Sequence, residues 1–509
     1  MKTIDNFLNR ITMYRLTLYY LIFLIVMAII LSFLKILSYN PLDITISVFA
    51  AVIAGFVSNY IFAKFFNAVP NVESVYITAL ILALIVPVKY PLSLPYIIAA
   101  SVVAMASKYL LTIDKRHIFN PAAVSVAAIA LLSPEHSATW WVGTPVMLPF
   151  VFFGGLLIVR KMQREDMIFN FLSLYLVVIA AGSFIRGGNL TSVISLWRLN
   201  VLDSALFFFT FVMFTEPLTS PNTRQKRNYF AYLVAFLYAT PSLRLTYTFT
   251  PELALVLGNV FSYIISPTSR MVLYLRQRIQ LSRDTFEFIF DKDPGFAFIP
   301  GQYLEWTLAH KNEDSRGNRR YFSISSSPTE NKLSMIVKFY SPPSSYKKEL
   351  ISLNQGGKII ASQVSGDFVL PKDLKKPLVF IAGGVGIAPF RSMIQYIVDR
   401  NMRVDIVLIF ANRTREDIIY SDLFERARLN GVKSIFVLTD TSRIPSDWQG
   451  VGGHITEQNI KQIVPDSPNR IFYISGPQLM VENFKSTLRN AGVENNRIIT
   501  DFFPGYSES

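Results

Sequence analysis

The sequence predicts a multidomain chain: an α-helical transmembrane bundle of about ten spans, then an antiparallel β-barrel, then an α/β domain on a parallel sheet. Three observations predict it. Long apolar runs crowd before Ser266, the stretch from Met271 to Leu370 alternates polar and apolar residues between turn signals, and from Pro377 onward short apolar runs alternate with helical periodicity. The implied domains are 1–265, 266–373 and 374–509.

A hydrocarbon core about 30 Å thick takes roughly 20 apolar residues per helix. Candidate spans are Leu16–Leu34, Ile44–Phe62, Val72–Val88, Leu94–Leu111, Ile118–Leu132, Pro145–Val159, Met167–Phe184, Leu202–Phe214, Tyr229–Leu243 and Leu253–Ile265. Several are short, which requires neighbouring helices or a ligand to satisfy freed backbone groups. The first is read as a retained helix, because its apolar stretch exceeds a signal-peptide core and no small-residue cleavage site follows at Leu37-Ser38-Tyr39. Lys and Arg resist translocation. With the N-terminus inside, the inner segments carry Arg10, Arg15, Lys64, Lys108, Lys115, Arg116, Arg160, Lys161 and Arg224 among others, and the outer ones hold fewer, such as Lys35, Lys89 and Arg186. An even count then returns the chain to the cytoplasm. The expectation is a multi-pass protein of the cell (inner) membrane with both termini cytoplasmic.

The formal net charge of +14 sits largely in short loops between apolar runs, so membrane lipid, and no nucleic acid, is the expected partner. The chain has no cysteine, which excludes thiolate-ligated iron–sulfur clusters, disulfides and cysteine nucleophiles. Any electron carrier must be organic or histidine-ligated.

Within the apolar half, two stretches are polar. Phe119-Asn120-Pro121-Ala122-Ala123 opens the fifth span, and Thr215-Glu216-Pro217-Leu218-Thr219-Ser220-Pro221 ends the eighth. Proline removes backbone donors while Asn, Thr and Glu add polar groups at depth, so each stretch can wall a polar pocket or simply form a helix cap and a turn. Both resemble segments of the RnfD/NqrB family, membrane subunits of ion-pumping oxidoreductases, in order and spacing. That resemblance implies FMN or another flavin, such as riboflavin, in the membrane domain, with Asn120 near it, and additional membrane subunits as partners. Members with covalent FMN attach it through the Thr of an S-G-A-T motif, which this chain lacks. Thr144, in Ser137-Ala138-Thr139-Trp140-Trp141-Val142-Gly143-Thr144, stands where that Thr would align; the alternative is a Trp-anchored interfacial loop.

In the second half the chemistry starts at Arg319-Arg320-Tyr321-Phe322-Ser323. On a strand, Arg320 and Phe322 share one face, a phosphate-binding cation beside an aromatic plate, and Ser323 lies on the other. Pro300-Gly301-Gln302-Tyr303 precedes this run; Ile336-Val337-Lys338, Ser344-Ser345 and Ser365-Gly366-Asp367-Phe368 follow. The order resembles the ferredoxin–NADP reductase superfamily over essentially this whole half. The resemblance implies FAD: Arg320 at the pyrophosphate, Phe322 against the isoalloxazine, Ser323 on the hydride-accepting nitrogen, with Tyr303, Tyr321, Val337, Ser344, Ser345 and Gly366 around them. Phe322 replaces the commoner Tyr, and Pro342-Pro343 stands where glycines are usual.

Gly383-Gly384-Val385-Gly386-Ile387-Ala388-Pro389 follows an apolar strand and precedes a helix, so bare backbone can approach a dinucleotide near the positive helix end. It resembles the superfamily's NAD(P) loop. Ser475-Gly476-Pro477 replaces its C-G-P, placing Ser475 near the nicotinamide, and the aromatic carboxyl-terminal segment implies Phe503 over the flavin. Asn412-Arg413 follows the second strand of the predicted parallel sheet, where the adenosine 2′-hydroxyl or 2′-phosphate would lie, so Arg413 leaves NADH and NADPH both open.

Together the resemblances imply an NAD(P)H-dependent flavin oxidoreductase passing electrons through FAD to a flavin or quinone among the helices, or to another redox protein, with ion transport as a further expectation. Two alternatives are weighed. A haem-containing ferric reductase or NADPH oxidase needs paired axial histidines, and the helical half offers only His117 and His136, about 22 Å apart along one span. An ion transporter with a redox-sensing nucleotide domain needs more polar residues at depth than Asn120, Glu73, Asp203 and Glu216 supply.

Overall fold

In a computed structural model the described residues are 8, 11–66, 72–113, 116–133, 137–243, 248–267, 270–311, 313–314 and 317–502. The chain divides into two compact units, Met1–Ser269 and Arg270–Ser509.

The first unit is helical: α1 (Met13–Phe33), α2 (Pro41–Phe65), α3 (Val72–Ile85), α4 (Leu94–Leu110), α5 (Pro121–Leu132), α6 (Leu148–Met162), α7 (Glu165–Ile185), α8 (Leu190–Leu202), α9 (Leu206–Phe208, continued by a π turn over Phe209–Met213), α10 (Arg224–Leu243) and α11 (Pro251–Ile265). A two-stranded ribbon, β1 (Thr112–Ile113) and β2 (Arg116–His117), precedes α5. Starts follow local chemistry. Thr12, Asn40, Asn120, Asn189 and Thr250 each accept a backbone N–H at a helix N-terminus, and proline stands in the first turn of α2, α4, α5, α6 and α11.

The expected ten spans are corrected. Among the described residues three helices, α1, α2 and α7, are long and apolar enough to cross a membrane, and the pair α8 with Leu206–Met213, bent by 60°, makes a fourth if counted as one. Helices α3, α4, α5 and α11 are apolar but shorter; at 12 residues α5 reaches about 18 Å, well short of a 30 Å core. Most candidate spans form one helix each, and several of those helices are too short to cross. Apart from its last residue, Leu202, helix α8 lies outside every candidate span, and the span placed at Leu202–Phe214 holds the break before Leu206. The inside–outside argument depended on an even count of ten and falls with it. His117 sits in β2, while His136 lies outside the described residues, as does the Asp114-Lys115 pair.

The second unit holds two sheets. One is antiparallel, ordered β6-β5-β8-β3-β4-β7, from β3 (Arg270–Ser282), β4 (Thr285–Asp291), β5 (Tyr303–Thr307), β6 (Arg319–Ser323), β7 (Lys332–Lys338) and β8 (Lys358–Ser365), with helix α12 (Ser345–Ser352) against it. It curls so that the segment leaving β6 meets β7, Ser325 N donating to Ser334 O at 2.8 Å. Alternation explains its core: Phe288, Phe290, Trp306, Met335 and Tyr346 are fully buried around one apolar centre.

The other sheet is parallel throughout, ordered β12-β11-β10-β9-β13-β14: β9 (Leu378–Gly383), β10 (Ile406–Asn412), β11 (Val432–Leu438), β12 (Val451–Gly452), β13 (Ile471–Gly476) and β14 (Ile498–Phe502). Helices α13 (Ile387–Asp399), α14 (Ser421–Ala427), α15 (Glu457–Ile463) and α16 (Gln478–Asn490) join its strands. Two apolar clusters cover its two faces, one holding Leu408, Phe410 and Phe390, the other Ile409, Phe472 and Phe484. Strand order reverses between β9 and β13, so the crevice at their carboxyl ends is the switch point where ligands of open α/β sheets bind.

Candidate functional site

The switch point is built from glycine backbone. β9 ends at Gly383, and Gly384 has φ +51°, a conformation side chains resist. A Cβ on Gly386 would stand 2.2 Å from the carbonyl oxygen of Ser475 and 2.7 Å from Cα of Gly476, so the loop and the end of β13 touch backbone to backbone. Ala388 and Pro389 are buried in the first turn of α13, whose free N–H groups make the loop electropositive. Pro477 leads into α16, and its ring lies 3.3 Å from where a Cβ on Gly383 would sit.

Two serines carry buried, unpartnered hydroxyls, one at this crevice and one on the antiparallel sheet. Ser475 is fully buried, in register with Ala382 on one side and Asp501 on the other, and its hydroxyl has no hydrogen-bond partner among the described residues. Ser323, in register with Tyr303 on β5, is 3% exposed with its hydroxyl equally unpartnered. Buried hydroxyls without partners are uncommon and costly, so each fits a group supplied by a ligand. Asp501 is half-buried, and burial pushes its carboxyl up to about 7.

The expected flavin residues gather along β6. Arg320 and Phe322 do share a face: the guanidinium lies 5.1 Å from the ring centre of Tyr346, and the Phe322 ring lies 6.1 Å from the same ring. Arg320 also pairs with Asp314, Nη2 to Oδ1 at 3.2 Å. Asp314 Oδ2 accepts from Ser345 N at 3.2 Å, while Ser345 Oγ accepts from Asp314 N at 2.9 Å and contacts Nε2 of His310 at 3.0 Å. Ser344 caps α12 through Lys347 N. Arg320, Ser344 and Ser345 thus surround one helix N-terminus that already holds a carboxylate, a geometry suited to phosphate oxygens.

Tyr321 is exposed on the opposite face, edge-on to Tyr303 at 5.8 Å, and donates to Glu305 at 2.8 Å. The Tyr303 ring covers Gly366, 3.1 Å from where a Cβ would stand. Val337 is wholly inside the core, in register with Phe286 on β4. Arg413 is exposed just beyond β10, its carbonyl accepting from Asp440 N at 3.2 Å. Phe503 lies outside the described residues.

A junction between the two sheets was not legible in sequence. Arg391 on α13 donates to both carboxylate oxygens of Glu330, which follows β6, and to Ser325 O at 3.1 Å; Ser392 Oγ donates to Ser326 O at 2.6 Å. Burial opposes the charge on Glu330, but the Arg391 hydrogen bonds and charge outweigh it and hold the carboxyl below its ordinary range. The same pairing raises Arg391 against burial. The helix that begins at the glycine loop is therefore fastened to the segment that carries Ser323.

In the helical unit the two polar stretches meet. Asn120 is both cap and link: its Oδ1 accepts from Ala123 N at 3.1 Å, its Nδ2 donates to Glu216 at 2.8 Å, and its N donates to Asn259 at 2.9 Å. Thr219 donates to the same Glu216 oxygen at 3.1 Å. The adjoining cavity, lined by His117, Thr219, Ser220, Asn259 and Ser266 among others, has about 20 Å³, room for one water and far too little for a flavin ring. Trp140 and Trp141 are buried in the helical core, with Trp141 Nε1 donating to Ala83 O at 3.0 Å, which corrects the reading of that loop as interfacial. The Thr144 hydroxyl is buried without a partner among the described residues, so covalent attachment there requires the loop to open.

Comparison with known proteins agrees with this geometry in the second unit. Residues 380–486 match the family model for the oxidoreductase NAD-binding domain. A flavohemoprotein of Rhodopirellula baltica is 27% identical over 225 residues, 42% of this chain and 54% of that protein. The glycine betaine monooxygenase reductase subunit of Chromohalobacter salexigens is 26% identical over 213 residues, 41% and 57%, and NADH-cytochrome b5 reductase 1 of Ajellomyces capsulatus is 25% identical over 259 residues, 48% and 82%. The chain spans little more than half the length of the first two. Among solved structures, an Amycolatopsis cytochrome P450 reductase aligns with TM-score 0.42 and 23% identity over 47% of this chain and 70% of that one. The C-terminal half of this chain is thus similar to reductases such as flavohemoproteins and NADH-cytochrome b5 reductases, with an oxidoreductase NAD-binding domain over residues 380–486.

Proposed function

We propose that the chain is an NAD(P)H-dependent flavin oxidoreductase: hydride from NADH or NADPH is taken up at FAD in the second unit, and electrons pass to an acceptor in or beside the helical unit. The observation that carries this reading is the pair of buried, unpartnered hydroxyls, Ser323 on the antiparallel sheet and Ser475 at the switch point, joined through α13. When bound, FAD supplies two-electron acceptance and one-electron release. The protein's own residues position and exclude. Arg320 with Ser344 and Ser345 holds phosphate, the Tyr303 and Tyr321 rings border an apolar wall, and the Gly383–Gly386 loop admits the dinucleotide backbone. Ser323 and Ser475 each offer a hydrogen bond where the two rings meet, and no side-chain acid or base is required.

The finer reading is membrane attachment of an RnfD/NqrB-like helical unit through α1, α2 and α7, with a quinone, a noncovalent flavin or another redox protein as acceptor and with additional membrane subunits as neighbours. Its support is the apolar character of these helices and the meeting of Asn120 with Glu216. The test is purification from the membrane fraction followed by flavin extraction, in-gel flavin fluorescence, and NADH and NADPH oxidation with ferricyanide. Extractable FAD with donor oxidation supports the reductase; absence of both sinks it. A fluorescent denatured band lost in Thr144→Ala marks a covalent second flavin. Ion uptake by proteoliposomes during turnover decides whether transport is coupled.

A further inference from the structure

The segment that joins β5 to β6 carries Asp314, and its carboxylate takes hold of two groups that suit phosphate oxygens. Oδ1 accepts from Arg320 Nη2 at 3.2 Å, and Oδ2 accepts from Ser345 N, the first N–H of α12, at 3.2 Å. The backbone follows the side chain. Asp314 N donates to Ser345 Oγ at 2.9 Å, Gly317 N donates to Asp314 O at 2.9 Å, and Arg320 Nη1 donates to Gly317 O at 2.9 Å. A turn tied down on both sides thus lays an anion between a guanidinium and a positive helix start.

This is the chemistry of a bound phosphate. An arginine fork beside a helix N-terminus selects an anion with paired oxygens, and a carboxylate presents two, as does each phosphoryl group of a diphosphate diester. The two anions exclude each other. Ser345 N has a single hydrogen to give, and a second negative charge at the same guanidinium is repelled by the first. The Asp314 side chain is 28% exposed and that of Arg320 16%, so the pair can part without opening the apolar core of the antiparallel sheet.

We propose that Asp314 is an internal competitor for the flavin diphosphate: its carboxylate must leave Arg320 and Ser345 before FAD is held there, so this one side chain sets how tightly the protein loads its flavin. The proposal rests on the NAD(P)H reductase reading and its phosphate site. Full-length protein freed of flavin by dialysis against concentrated bromide is titrated with FAD, and with riboflavin, which carries no phosphate, by flavin fluorescence. Wild type is compared with Asp314→Asn, which keeps the shape and removes the charge, and with Asp314→Ala, which removes the hydrogen bonds of the carboxylate as well.

The expected result is a Kd for FAD lowered about tenfold in both variants, with riboflavin affinity unchanged. The melting temperature of the flavin-free variants falls, because the Asp314 contacts are lost, and that of the FAD-loaded variants stays level with wild type. A raised Kd overturns the proposal and makes Asp314 a positioning residue that orients Arg320 toward the phosphate. An unchanged Kd, with melting temperatures lowered equally with and without FAD, overturns it too and leaves Asp314 a structural tie. Equal tightening of riboflavin overturns it as well, since the gain then does not pass through the diphosphate. Failure of wild type and both variants to bind FAD sinks the reductase reading itself, and this proposal with it.

Discussion

Arg391 holds Glu330 through both carboxylate oxygens, joining the helix that leaves the glycine loop to the segment that leaves β6. Both side chains are largely buried, at 8% and 17% exposure. Removing one partner strands the other charge, so Arg391→Met costs about 3 kcal/mol, while the double variant Arg391→Met/Glu330→Leu recovers much of it. Urea denaturation followed by tryptophan fluorescence measures both; equal losses in single and double variants would show that the pair is not the source of the stability.

The same pair sets a pH dependence. The Glu330 carboxyl in the folded protein lies below its ordinary value, so its contribution is complete above that value, about 4.3, and is lost as pH falls through the lowered folded one. The stability gap between wild type and Glu330→Gln is expected to be constant from pH 8 to 5 and to close below pH 4. A gap that widens on acidification contradicts the pairing.

Gly386→Ala places a methyl 2.2 Å from the Ser475 carbonyl oxygen, and a backbone contact cannot yield as a side chain can. The expected outcome is FAD retained but kcat/KM for the dinucleotide reduced more than about tenfold, since the loop must leave the switch point. Flavin absorbance per protein and donor oxidation read the two effects separately.

Ser323→Ala and Ser475→Ala remove hydroxyls that nothing else in the described structure satisfies. Each is expected to leave the melting temperature level or higher and to slow flavin reduction by about fivefold to tenfold in stopped flow. Loss of stability without a change in rate would make them ordinary core serines.

Asn120→Ala deletes a helix cap and one of the hydrogen bonds to Glu216 together. Thermal unfolding in detergent is expected to report a loss of about 2 kcal/mol in the helical unit. Donor oxidation with ferricyanide, which draws on the second unit, should be unchanged.

Much of this protein is written locally. Alternation marked the strands of the antiparallel sheet, short apolar runs separated by helical periodicity marked β9, β10 and β13, and helix starts followed Asn120, Asn189, Thr250 and Ser344 because a cap needs only its next three residues. The shared face of Arg320 and Phe322 was likewise legible, since side-chain direction in a strand depends on parity alone. Tertiary structure decided the rest. Among the described residues it left three or four of the apparent spans long enough to cross a membrane, chose Glu330 as the partner of Arg391 from 61 positions away, buried Trp140 and Trp141, and left the side chains of Ser323, Ser475 and Asn412 without hydrogen-bond partners. Burial and pairing are properties of contacts between distant segments, and no window of neighbouring residues contains them.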